Sequence, residues 1–248
     1  EEPIPESGSI REFGKDAITR LYRSNIYPNK ILDKSQKEVI DLFQSSPKHR
    51  LLVSAPTSYG KTFLMREIIF LNKERYNNIL LVFPTVALLV ENARELEKFV
   101  SEYGMEYNVI KTIDSVDAAS QKNIFVFTPE RALQLISNFP NLNIDFFFFD
   151  EVYKINEDYC NDGSEEESDE KPAKTENEFI YEDRGKTFRI ALYLLAKRVK
   201  EYYIAGPNLT QEQFGLGMRR FLQINEIDVK EIKFEPTLRI SVDAYNKH

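Results

Sequence analysis

The sequence predicts an α/β domain of three layers, with a central, mainly parallel sheet covered by helices on both faces. Three observations carry that prediction. Short runs rich in Ile, Val, Leu and Phe alternate along the chain with longer helical patterns. Those runs are apolar at successive positions, as strands covered on both sides must be. One of them passes through a glycine-lysine turn directly into a helical segment.

Taken in order, the first eight residues form a polar arm, and Ile10, Phe13, Ala17 and Leu21 have helical spacing that runs to Ser24. Residues 1–30 are therefore set apart as an N-terminal arm and helix, with the main domain spanning 31–248. Pro28 interrupts the chain, and a helix follows over 35–43, where Val39, Ile40, Leu42 and Phe43 supply its apolar side. Strands are predicted at 51–54, 79–83, 108–111, 124–127, 144–149 and 202–205. Helices are predicted at 61–73, 85–102, 130–137, 186–200 and 211–222. Residues 227–234 and 238–242 look like a strand pair separated by Glu235-Pro236.

The charge is unevenly spread. The 248 residues carry 33 Lys plus Arg against 40 Asp plus Glu, a net charge of −7. Read as a bulk property, that acidity argues against phosphate-backbone binding. Yet residues 157–183 alone hold 12 acidic residues and 2 lysines, and without them 31 basic and 28 acidic residues remain. That stretch, nearly devoid of apolar residues, reads as a solvated insertion. A single cysteine, Cys160, excludes an intramolecular disulfide framework and a Cys-rich zinc site. No apolar run approaches the ~20 residues of a membrane helix, and no secretory leader is seen, so the expected location is cytoplasmic. With only His49 and His248, catalysis through histidine has little material, which leaves carboxylates, a lysine and a bound metal ion.

The strongest motif is Ser54-Ala-Pro-Thr-Ser-Tyr-Gly-Lys-Thr62, which fits G-x-x-x-x-G-K-[ST] with Ala55 in place of the first glycine. It follows a buried strand and opens a helix, where backbone N–H groups and a helix N-terminus can hold an anion. Pro56, Thr57, Ser58, Tyr59 and Gly60 form the loop, and Gly60 lets the backbone approach phosphate. Lys61 would reach the β- and γ-phosphates, and the Thr62 hydroxyl would coordinate magnesium. The matching acidic half is Asp150-Glu151, directly after the run 144–149. An aspartate there can hold magnesium through water, and the glutamate can orient or deprotonate the attacking water.

Together these residues resemble the first RecA-like domain of a superfamily 2 helicase or translocase, the DEAD/DEAH-box class. Ala55 to Thr62 looks like motif I, Phe83-Pro-Thr-Val-Ala-Leu-Leu89 like motif Ia, Thr128-Pro-Glu-Arg131 like motif Ib, and Asp150-Glu-Val-Tyr153 like motif II. Ala205-Gly-Pro-Asn208 stands where motif III usually reads Ser-Ala-Thr and departs from it; the resemblance implies that Gly206 and Asn208 couple hydrolysis to movement. The resemblance implies a RecA-like P-loop NTPase fold for 31–248, with ATP and Mg2+ as cofactors.

It further implies that Gln36, 25 positions before Lys61, reads adenine, for which a carboxamide has the right donor and acceptor. Tyr27 would stack on the base or pack in the core. Thr85, Thr128 and Arg131 would touch the backbone of DNA or RNA, and each threonine equally suits a helix cap. A second RecA-like lobe, absent here, would complete the motor. The spelling of motifs I and II and Arg189-Ile-Ala-Leu-Tyr-Leu-Leu195 are similar to bacterial antiphage helicases of the Hachiman type, implying a nuclease or other defence partner. Two other readings remain open: a regulatory nucleotide-binding module, and an interaction domain that docks a basic partner through the acidic stretch.

Overall fold

The computed structural model describes residues 19–116, 122–152, 176–207 and 210–232. After a short helical stretch at 19–21, helix α1 (Lys34–Ser45) starts on a capping box. The Asp33 carboxylate accepts from the Gln36 backbone N–H at 2.7 Å, and the Gln36 side-chain oxygen accepts from the Asp33 N–H at 3.2 Å. Strand β1 (Arg50–Ser54) leads to α2 (Lys61–Leu71), which begins on Gly60 at φ 90°, a conformation glycine adopts without a Cβ penalty. Then come β2 (Asn78–Val82), α3 (Val86–Glu102), β3 (Tyr107–Ile110), β4 (Lys122–Phe127) and α4 (Pro129–Asn138), the last opened by proline at its first position. Strand β5 (Phe146–Phe149), α5 (Glu176–Arg198), β6 (Glu201–Gly206), α6 (Leu216–Ile224) and β7 (Asp228–Glu231) complete the described order.

The seven strands form one sheet in the order β3-β4-β2-β5-β6-β1-β7, and all six neighbouring pairs are parallel. The chain leaves β1 for β2 on one side, and later passes from β6 to β7 on the other. The strand order therefore reverses beside β1, the kind of place where open α/β sheets commonly take ligands at the carboxyl ends of their strands.

Alternation divides the core in two. Val53, Leu81, Phe146, Phe148 and Tyr203 face α1, α2 and α3, whereas Leu52, Leu80, Phe147, Phe149 and Ile204 face α4, α5 and α6. All four phenylalanines of β5 are wholly buried, and burial of each ring contributes roughly 2 kcal/mol. Sheet and helices form the three-layer α/β architecture the sequence predicts.

Three elements differ from the sequence prediction. Helix α5 begins at Glu176, ten residues before the expected 186, so the stretch read as a solvated loop is helical over its last part. Glu, Lys and Arg are good helix formers, and polarity alone does not break a helix. The helix predicted at 211–222 divides into a 3-10 turn, Gln211–Gln213, and α6, because Gly215 restarts the helix at an N-cap. Strand β7 pairs in parallel with β1, and its expected hairpin partner at 238–242 lies outside the described residues. Also outside them are residues 1–18, Tyr153, most of the acidic stretch including Cys160, Asn208 and His248.

Candidate functional site

The candidate phosphate loop grows out of β1 and is laced to the end of β6. Ala55 N–H donates to the Gly206 carbonyl at 3.2 Å, and the Ser54 hydroxyl donates to the Pro207 carbonyl at 2.8 Å. Thr57–Tyr59 form a single 3-10 turn, and Gly60 in the left-handed region swings the chain into α2. Lys61 is buried, with 6% of its surface exposed, and its ammonium donates to the carbonyls of Ala55 at 2.9 Å and Pro56 at 3.0 Å. Burial lowers its pKa from the ordinary 10.5, opposed by the negative charges of Asp150 and Glu151. The ammonium and both carboxylates thus share one electrostatic site. Thr62 is half-buried in the first turn of α2.

Asp150 follows the last residue of β5, and its N–H donates to the Val82 carbonyl at 3.0 Å. Its Oδ1 accepts from the Glu151 N–H at 2.9 Å, a bond that turns the carboxylate back along the chain. Glu151 sits at φ 58°, a left-handed conformation that costs a non-glycine residue about 1 kcal/mol. Val152 then packs back against β6, so that a Cβ added to Gly206 would come within 2.9 Å of Val152 Cγ1. Gly206 therefore joins the segment after Asp150 to the phosphate loop.

On the other flank, Gln36 bridges α1 to the loop. Its Nε2 donates to the Tyr59 carbonyl at 2.9 Å, and a Cβ on Gly60 would meet that nitrogen at 3.4 Å. The Tyr59 hydroxyl donates to the Ser35 Oγ at 3.0 Å, and Ser35 donates to Asp33 at 2.6 Å. Burial pushes the Tyr59 pKa up to about 12. Tyr27 stacks on Phe63 with ring centres 6.1 Å apart and meets Tyr103 edge-on, so packing is its observed role. The D-x-x-Q capping signal at Asp33 was present in the sequence, and it explains how Gln36 is held at the start of α1.

The three residues expected at a nucleic-acid edge follow β2 and β4, neighbours in the sheet, and so lie along the carboxyl edge of that half. Thr85 caps α3, its hydroxyl accepting from the Leu88 N–H at 3.3 Å. Thr128 stands at the N-cap of α4 without a side-chain capping bond and is 8% exposed. Arg131 donates to the Lys111 carbonyl at 3.0 Å. A cavity of about 660 Å³ lined by Lys48, Phe214, Arg219 and Asp228 contains none of the expected site residues.

The donors present suit an anion and a hydrated magnesium ion. Among the described residues no cluster of three or more His, Cys, Asp or Glu could hold a metal ion. No described helix is long and apolar enough to cross a membrane.

A model of the DEAD/DEAH box helicase family matches residues 33–171, more than half of the chain. The fold resembles the crystal structure of a hypothetical ATP-dependent RNA helicase from Sulfolobus tokodaii, with a TM-score of 0.51 and 18% identity. That match covers 90% of this chain and 55% of the other, so the chain spans about half the length of that protein. No curated protein matches the chain. With Lys61 in the electrostatic reach of Asp150 and Glu151 at the carboxyl edge of a RecA-like sheet, the chain belongs to the DEAD/DEAH box helicase family.

Proposed function

We propose that this chain is the ATP-binding and ATP-hydrolysing lobe of a nucleic-acid helicase or translocase. The observation that carries the reading is the buried Lys61 ammonium at the end of the phosphate loop, facing the charges of Asp150 and Glu151. Lys61 would turn from the Ala55 and Pro56 carbonyls to the β- and γ-phosphates. The N–H groups from Thr57 to Thr62 would surround those phosphates, and Gly60 leaves room for their approach. Thr62 and Asp150 would hold Mg2+, which when bound neutralises charge developing on the transferred phosphoryl group. Glu151 would orient or deprotonate the attacking water, and Gln36 would recognise adenine. Thr85, Thr128 and Arg131 would position a DNA or RNA strand by its backbone, while Gly206 and Asn208 would couple that contact to the nucleotide.

In this reading a second RecA-like lobe supplies arginine charge to the γ-phosphate, worth about 10³ to 10⁵ in rate, and this lobe alone turns over slowly. The finer assignment is a cytoplasmic bacterial DNA helicase of antiphage defence, working with a nuclease or other defence partner; the spelling of motifs I and II supports it. ATPase assays with and without DNA and RNA test the function. Stimulation by either polymer supports a motor. ATP binding without stimulation favours a regulatory module, and absence of ATP binding leaves an interaction domain.

A further inference from the structure

Glu67 lies on the second turn of α2, wholly buried, in a helix whose other buried residues are mostly apolar. A buried carboxylate is costly unless hydrogen-bonded, and Glu67 takes its hydrogen bonds from one short segment, Ser24 and Asn25. Its Oε1 accepts from the Ser24 hydroxyl, and its Oε2 accepts from the Asn25 N–H and from Asn25 Nδ2, both at 3.1 Å. Ser24 Oγ in turn accepts from the N–H groups of Ile26 at 3.3 Å and Tyr27 at 2.9 Å. The segment is a small hairpin, closed by an antiparallel bridge between Arg23 and Ile31 and by a bond from Ser24 N–H to the Lys30 carbonyl at 2.9 Å.

Phe63 and Glu67 are one helical turn apart, so both face this hairpin. Phe63 carries the Tyr27 ring stacked on it and the Lys30 ammonium 3.6 Å from its centroid. Two residues beyond the bridge the chain reaches Asp33 and then Gln36, whose amide holds the Tyr59 carbonyl. The stretch from Ser24 to Gln36 is thus a strap across α2, fastened at Glu67 and at the phosphate loop.

We infer that Glu67 is a positioning residue for base recognition. It fixes the strap carrying Tyr27 and Gln36 to the same helix that presents Lys61 and Thr62, so the base-side and phosphate-side contacts keep one spacing. The inference rests on the proposed binding of ATP.

The test measures Mg2+-dependent binding of ATP and of inorganic tripolyphosphate to the whole chain by titration calorimetry. Its variants are Glu67→Leu, Glu67→Gln and Ser24→Ala, with thermal melting recorded for each. Ser24→Ala loosens the strap from its own side and leaves α2 untouched, removing the bond to Glu67 Oε1 and the acceptor for the Ile26 and Tyr27 N–H groups while the Asn25 bonds remain, so it decides the matter if Glu67→Leu does not fold. Freeing the strap is expected to weaken ATP binding about tenfold while tripolyphosphate binding changes by less than about twofold. Glu67→Gln, which keeps a carbonyl acceptor for Asn25, falls between wild type and Glu67→Leu. Equal loss for both ligands, or unchanged ATP affinity in a folded variant, overturns the inference. If the unmodified chain binds ATP no more tightly than tripolyphosphate, the inference falls and the phosphate-loop reading stands. If it binds neither, the functional reading falls with it.

Discussion

Gly206 has no room for a side chain because Val152 occupies it: a Cβ on Gly206 would lie 2.9 Å from Val152 Cγ1. The contact ties the residue two beyond Asp150 to the end of β6, whose final carbonyl also accepts from Ala55 N–H. Gly206→Ala should therefore destabilise the fold by about 1–3 kcal/mol through overpacking. Val152→Ala should restore much of that loss in the double variant, giving a coupling energy above about 0.5 kcal/mol in urea denaturation. Strict additivity would show that the backbone yields elsewhere.

Glu151→Gln should retain ATP binding and lose hydrolysis, because the amide keeps the shape of the side chain but cannot take a proton. Lys61→Ala should abolish turnover. Measurement of ATP affinity and single-turnover hydrolysis separates the two roles, and native-rate hydrolysis in the Glu151 variant removes it from the catalytic position.

The pH dependence follows from Lys61. Burial lowers its pKa below 10.5, so the free site loses its positive charge at a pH where an exposed lysine keeps it. ATP affinity should decline with rising pH, beginning below 10.5. Tyr59, pushed up to about 12, stays protonated over that range and does not contribute. Stability moves the opposite way. The unfolded lysine binds its proton up to its ordinary value while the folded one releases it earlier, so the cost of the buried charge is relieved as pH rises through that window. Affinity that is flat to pH 10.5 would contradict this account.

Arg131→Ala should weaken single-stranded nucleic-acid binding and reduce the slope of log affinity against log salt by about 1, the signature of one lost phosphate contact. Its bond to the Lys111 carbonyl makes a modest loss of stability part of the same expectation. Unchanged affinity would leave Arg131 as a structural staple.

Much of the candidate site's placement in the fold was legible in the sequence for physical reasons that act locally. A glycine-lysine turn after a buried strand announces the phosphate loop, and four consecutive phenylalanines announce a strand at the sheet centre that must deliver Asp150 to its edge. What escaped sequence reading depends on distance along the chain. The Gly206–Val152 contact joins residues 54 positions apart, and it arises only once β5 and β6 pair in their observed register. Glu67 resembles a solvent-facing acid on an amphipathic helix until the hairpin at 23–31 is seen to cover it. The early start of α5 was hidden because charge was read as loop.

The run Phe146–Phe149 has a consequence for where the molecule yields under stress. Its rings are clamped alternately by the two helical layers, and its backbone is paired on both sides by β2 and β6. Amides so placed exchange with solvent only when the whole domain opens. The strand that ends at Asp150 is therefore among the last parts of the domain to open, and it holds that carboxylate at a constant place on the edge of the sheet.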